Sequence, residues 1–229
     1  MEIHAVRSSY RMDSYYFDTL MRFLSYEEGD KIKRYQRWED AQRYLIGKIA
    51  IKSLICNSYG LENEDIYFSV NKFGKPYVKG VKDLHFNISH SGEWVVYAID
   101  RSSIGIDVEE INDIDLDIAD RFFSKDEYSE LLELNKEHRL GRFFDLWTLK
   151  ESYIKAEGKG MSIPLDSFTI RKKGEVISIK GADKSYYFKQ YDIAENYKLS
   201  VCAMNNNFPM DINIMELKDF RKYSINSRR

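Results

Sequence analysis

The chain has 229 residues, 43% of them hydrophobic and 14% aromatic, and its 35 Lys plus Arg against 37 Asp plus Glu leave a net charge of −2. That composition excludes a disordered chain, and the charge balance excludes a protein held to nucleic acid by an overall basic field. The length suits one large domain or two closely packed small ones.

In chain order, residues 3–7 read as a strand and 14–25 as a helix with Phe17, Leu20, Met21 and Leu24 on one face. A basic stretch follows at 31–37. Ala41, Leu45, Ile49 and Leu54 recur at near-helical spacing over 38–59, and Gly60 is a natural stop. This most apolar part of the chain, residues 44–56, is interrupted by Lys48 and Lys52 and is too short to span a bilayer. The opening MEIHAVR lacks the apolar core of a secretory signal, so a cytoplasmic protein without membrane contact is expected. Residues 66–70 alternate like a strand, and Gly74 and Pro76 supply turn chemistry. Strands at 84–88, 94–100 and 104–109, joined by hairpin turns at 91–93 and 100–103, make the middle region a meander.

Ser124 and Glu127 have the spacing of a capping box, which starts a helix over 128–134, and a second helix runs about 141–157. The loop 158–165 is followed by strands at 167–171, 175–180, 185–191 and 197–204, and by a frayed basic tail with Arg221, Lys222, Arg228 and Arg229. Helix followed by sheet thus occurs twice. The expected fold class is α+β, with two similar halves (1–102 and 103–217, with 218–229 as the tail) related by a pseudo-twofold, each a helix on a small, mostly antiparallel sheet. Cys56 and Cys202 stand far apart with neither CxxC nor Cys/His metal spacing, so both are expected to be reduced.

The chemistry concentrates in two segments. Asp107 and Glu109 lie two apart between Ile104, Ile106 and Val108, so on a strand both acids project from one face, about 7 Å apart at their backbones. Glu151 and Lys155 lie four apart and stack on one helix face. If strand and helix pack together, three carboxylates meet beside a cation, a set suited to Mg2+ on a polyphosphate. The plain alternative is an ordinary surface i,i+4 pair and the end of an exposed strand.

Ser89, His90 and Ser91, placed between two strands, offer hydroxyls and an imidazole to a phosphate. A hydrolase triad is disfavoured because no GxSxG elbow is present. Lys75 beside Gly74 could hold a phosphate or ribose, whereas the GKG at 158–160 lacks phosphate-loop spacing and only shapes a loop. Phe143, Phe144, Trp147 and Ile154 form a core stripe that anchors Glu151. Lys31, Lys33, Arg34, Arg37 and Arg43 form either a solvated basic face or a seat for a terminal phosphate.

Together, FNISHSG (86–92), IGIDVE (104–109), RFFSKDEY (121–128) and WTLKESYIKAEGKG (147–160) resemble the 4′-phosphopantetheinyl transferases of the surfactin-synthetase-activating type, over nearly the whole chain to about residue 217. The resemblance implies a monomer with coenzyme A between two α+β halves. It would transfer the phosphopantetheine arm to a serine of an apo carrier protein and release adenosine 3′,5′-bisphosphate. It implies that Asp107, Glu109 and Glu151 hold Mg2+, with Mn2+ an alternative, and that Lys155 contacts the pyrophosphate. Lys75, Ser89 and His90 would line the nucleotide end, and Lys31 and Arg43 would approach the 3′-phosphate. The chain departs from the pattern with Glu28 and Gly29, where relatives commonly carry another lysine.

The resemblance also assigns 111–123 and 124–165 to carrier docking, with Lys150, Lys159 and Met161 as contacts. Glu151, Lys155 and His90 are the catalytic candidates: Lys155 and His90 would stabilise the leaving phosphate, and Glu151, first of all a metal ligand and so a poor direct base, would take the serine proton only through a water. Glu127 is a further candidate base, although its capping-box position already gives it a structural task. The rival readings are a coenzyme-binding module without the reaction and a metal-dependent nuclease. Coenzyme A and an apo carrier of a peptide, polyketide or fatty-acid synthase are the expected partners.

Overall fold

The computed structural model describes residues 1–226. Its first half comprises β1 (Glu2–Arg7), α1 (Ser14–Met21), α2 (Tyr26–Lys33), α3 (Trp38–Tyr59), β2 (Phe68–Val70), β3 (Pro76–Val78), β4 (His85–Ser91) and β5 (Trp94–Asp100). The second comprises β6 (Ile104–Glu110), α4 (Ala119–Phe122), α5 (Lys125–Glu133), α6 (Lys136–Glu157), β7 (Thr169–Lys173), β8 (Val176–Lys180), β9 (Tyr187–Tyr191) and β10 (Tyr197–Ala203). The chain then returns to the first half through β11 (Asn213–Glu216) and α7 (Leu217–Asn226).

Two sheets face each other, ordered β11-β1-β5-β4 and β6-β10-β9. β2 with β3 and β7 with β8 form separate hairpins. All seven residues of β5 are buried, because its two faces serve two cores. Val95, Tyr97 and Ile99 pack under α3, and Trp94, Val96 and Ala98 meet Ile104, Ile106 and Val108 of the opposing sheet. A third core lies under α6, around Phe143, Leu146, Leu149 and Phe168. Each fully buried aliphatic chain contributes about 1.5–3 kcal/mol, so β5 is anchored from both sides. The mixed α+β class and the two long helices agree with the sequence expectation, and both helices stop at a left-handed glycine, Gly60 (φ 66°) and Gly158 (φ 71°).

Four expectations are corrected. The helix expected over 14–25 is two helices, because Ser25 restarts the chain. Its hydroxyl accepts from Glu28 N at 3.2 Å, and its own N–H donates to Glu28 Oε2 at 3.1 Å, a capping box. The meander ends at β5, whose edges are already taken by β1 and β4, so β6 crosses over to pair with β10. Ser89, His90 and Ser91 are not in a turn: β4 runs through Ser91. The chain end is no frayed tail up to Asn226, because α7 buries Leu217 and Phe220 in the first core, while Arg228 and Arg229 lie outside the described residues.

Candidate active site

Alternation along β6 builds the site. Ile104, Ile106 and Val108 point into the core between the sheets, so Gly105, Asp107 and Glu109 face α6. Gly105 allows the close approach: a Cβ there would stand 2.0 Å from the Ser152 carbonyl oxygen and 2.4 Å from the Ala156 nitrogen, both helix backbone. The Thr148 and Ser200 hydroxyls, 2.7 Å apart and buried, fix α6 against β10.

This packing brings Lys155 Nζ within 2.6 Å of Asp107 Oδ1. Ser89 Oγ donates to the same oxygen at 2.9 Å and accepts from Lys155 Nζ at 3.1 Å. Ser91 Oγ donates to Glu109 Oε2 at 2.8 Å. Ser89, His90, Asp107, Glu109, Glu151 and Lys155, with Ile88 and Trp147, line a cavity of about 330 Å³. Burial raises the Asp107 carboxyl against the opposing pull of Lys155 and Ser89. Burial first, and then the neighbouring Asp107, push Glu109 up to about 7 and also raise Glu151.

Among the described residues, no three His, Cys, Asp or Glu side chains converge closely enough to hold a metal ion unaided. The donor set nevertheless fits a hard cation completed by ligands from a substrate. Asp107 Oδ2 is buried without a hydrogen-bond partner, and Asp107 raises the proton affinity of both Glu109 and Glu151, a repulsion that a divalent ion would relieve.

The description "4'-phosphopantetheinyl transferase superfamily" belongs to the family model that matches residues 103–202, and "4'-phosphopantetheinyl transferase, N-terminal" to the one that matches 9–102. The 4′-phosphopantetheinyl transferase Sfp of Bacillus subtilis (strain 168) is 44% identical over 205 residues, 88% of this chain and 92% of its own. The chain belongs to the 4′-phosphopantetheinyl transferase family. Two further transferases agree: ffp of Bacillus subtilis at 41% identity (94% of this chain, 97% of its own) and gsp of Aneurinibacillus migulanus at 40% (89% and 86%). No helix among the described residues is long and apolar enough to cross a membrane.

Of the remaining candidates of this transferase, His90 lines that cavity and Lys31, Arg43 and Lys75 do not. His90 is exposed at its mouth, and partial enclosure by the walls, followed by the charges of Arg43 and Lys155, lowers its imidazole. Arg43 is committed to Asp40 and to the Gly92 carbonyl. Lys31 lies over the Tyr44 ring, 4.5 Å from its centroid. Lys75 donates to the carbonyls of Ile104 and Ala156 at 3.0 and 3.1 Å, tying the first half to β6 and to the end of α6, and burial lowers it to about 8. It lines a second cavity of about 220 Å³ with Pro76, Phe86 and Gly158. Glu28 pairs with Lys48 at 2.9 Å and with Lys52 at 3.7 Å.

Three expectations are corrected here. Lys150 cannot meet a carrier: it is fully buried and donates to Glu127 Oε2 at 2.8 Å and to the carbonyls of Leu165 and Phe168. Glu127, also 0% exposed, is no base, since its carboxylate accepts from Lys150, Ser124 N and Ile170 N. Trp147 is not simply core, because it borders the cleft while stacking on Phe143. Met161 is 94% exposed, and Lys159 pairs with Glu157 at 3.3 Å. Gly105 went unnoticed in the sequence, although a glycine two places before Asp107 on a strand signals close backbone approach. Gly105→Ala is expected to push α6 off β6 and to cut turnover at least about a hundredfold with a lower melting temperature. Wild-type rates in a folded Gly105→Ala protein would refute that account.

Proposed function

We propose that this transferase moves the 4′-phosphopantetheine arm of coenzyme A to a serine hydroxyl of an apo carrier protein. The observation that supports this best is the meeting of Asp107, Glu109 and Glu151 with Lys155, Ser89 and His90 in one cleft between a strand and a helix. In the reaction the serine oxygen bonds to the phosphorus bearing the pantetheine arm. The bond from that phosphorus to the bridging oxygen breaks, and adenosine 3′,5′-bisphosphate departs with the electron pair.

Asp107, Glu109 and Glu151 would hold Mg2+, with Mn2+ suited to the same oxygen donors. When bound, the ion supplies neutralisation of charge on the diphosphate. Lys155 places an ammonium beside the same phosphates, and His90 stands at the mouth, where the departing oxygen gains charge. Half-buried Glu151 takes the serine proton through an intervening water, since a carboxylate on a cation is a weak direct base. Lys75 and its cavity lie at the nucleotide end. Lys31 and Arg43 are the cations for the 3′-phosphate, and Glu28 subtracts charge there by occupying Lys48. The carrier docks beside 111–123 and the loop bearing Lys159 and Met161. One chain supplies every group named, so the active unit is a monomer.

Intact-mass spectrometry of an apo carrier incubated with the protein, coenzyme A and Mg2+ tests this. The carrier is expected to gain the phosphopantetheine mass on its serine. A carrier of unchanged mass across peptide, polyketide and fatty-acid synthase types would leave only a coenzyme-binding module.

A further inference from the structure

β4 and β6 are the facing edges of two different sheets. The N–H groups of β6 that point towards β4 need partners other than a strand ladder, and side chains supply them. Asn87 Oδ1 accepts from Ile106 N at 2.9 Å, and Ser91 Oγ from Glu110 N at 3.1 Å. Asn87, Ser89 and Ser91 are alternate residues of β4 and therefore share a face. That face fastens the first half of the molecule to the acids carried by the second.

Ser91 does more than fill a gap. A hydroxyl has one proton, and because Ser91 Oγ accepts from the Glu110 N–H its own proton is directed to Glu109 Oε2, 2.8 Å away. The turn that follows is clamped as well. Gly92 has a positive φ of 52°, a Cβ on it would lie 2.1 Å from Tyr197 Oη, and that hydroxyl accepts from Glu93 N at 3.1 Å. Ser91 is thus held between two fixed points and presents a donor to one oxygen of Glu109, leaving the other free for a ligand.

We infer that Ser91 is a positioning residue: by holding the Glu109 carboxylate, it sets the affinity of the site for the divalent cation. This rests on the metal-site reading above. An outer partner of a ligating group changes metal affinity by about 10–100-fold when removed.

The test uses the full-length protein with coenzyme A, and Mn2+ as the probe, with free Mn2+ read by electron paramagnetic resonance. Ser91→Ala is expected to weaken Mn2+ binding about tenfold and to raise the Mg2+ concentration for half-maximal transfer by a similar factor. Ser91→Thr keeps the hydroxyl and is expected to bind within about threefold of wild type. Mn2+ binding by Ser91→Ala equal to wild type would overturn the inference while leaving the metal site intact. Equal weakening in Ser91→Thr and Ser91→Ala, at matched melting temperatures, would also overturn it by making the effect one of packing. Wild-type protein that binds no Mn2+ would remove the metal reading itself, and the inference with it.

Discussion

Asp107→Ala is expected to abolish transfer, lowering the rate by about three orders of magnitude or more, while the protein stays folded. Asp107 is the deepest of the three acids, 2% exposed, and it is the one joined directly to Lys155 and Ser89. Removing it would take away one oxygen donor of the proposed cation site and release the Lys155 ammonium proposed to face the phosphates. A loss of this size corresponds to about 4 kcal/mol of transition-state stabilisation, the scale expected for charge neutralisation at a phosphoryl group. The fold should tolerate the change, because burial opposes ionisation of this carboxyl and its loss relieves that penalty. Asp107→Asn separates charge from shape: it preserves volume and is expected to lose nearly as much rate. Steady-state transfer assays alongside thermal melts decide the matter. An Asp107→Asn protein with near wild-type turnover would show that the negative charge is not needed.

The second large effect is on stability. Glu127→Ala is expected to destabilise the protein by about 3–5 kcal/mol, the range for breaking a buried ion pair from one side. For a chain of this length that is a fall in melting temperature of roughly 6–20 °C. Glu127 closes the capping box of α5, receives Ile170 N from β7 and neutralises Lys150, which itself holds the carbonyls of Leu165 and Phe168. Without the carboxylate, a buried ammonium beside the Phe168 ring keeps only carbonyl partners. Assayed well below its melting point, the variant should still transfer within about tenfold of wild type. A loss of a thousandfold with an unchanged melt would return Glu127 to the list of catalytic groups.

Much of this was legible from local pattern. The α3 and α6 helices follow from apolar spacing and terminal glycines, and the period of two along residues 104–109 placed Asp107 and Glu109 on one face. The three acids and Lys155 converge because Gly105 admits α6, and that glycine sits in the same short motif. What could not be read depended on distant partners. Nothing within residues 100–110 says that β5 has no free edge, so the departure of β6 to the second sheet was hidden. Lys150 reads as a surface charge until Glu127, 23 residues earlier, is seen to neutralise it in the core. The split between α1 and α2 was available in the Ser25–Glu28 capping box, but the apolar stripe of residues 17–24 masked it. The α7 helix is short and mostly polar, and only its docking through Leu217 and Phe220 orders it.

The side-chain seam between β4 and β6 gives the two halves a shared purpose. The first half carries Ser89, His90 and Ser91, the second carries the acids and Lys155, and neither alone makes the cleft.

The most direct test of the account is anomalous diffraction from crystals grown with Mn2+ and coenzyme A. The expected result is a single strong Mn2+ peak within ligand distance of Asp107, Glu109 and Glu151, with the diphosphate completing the coordination and Lys155 beside it. A diphosphate bound elsewhere, or a cleft whose acids hold no ion while coenzyme A is in place, would contradict it.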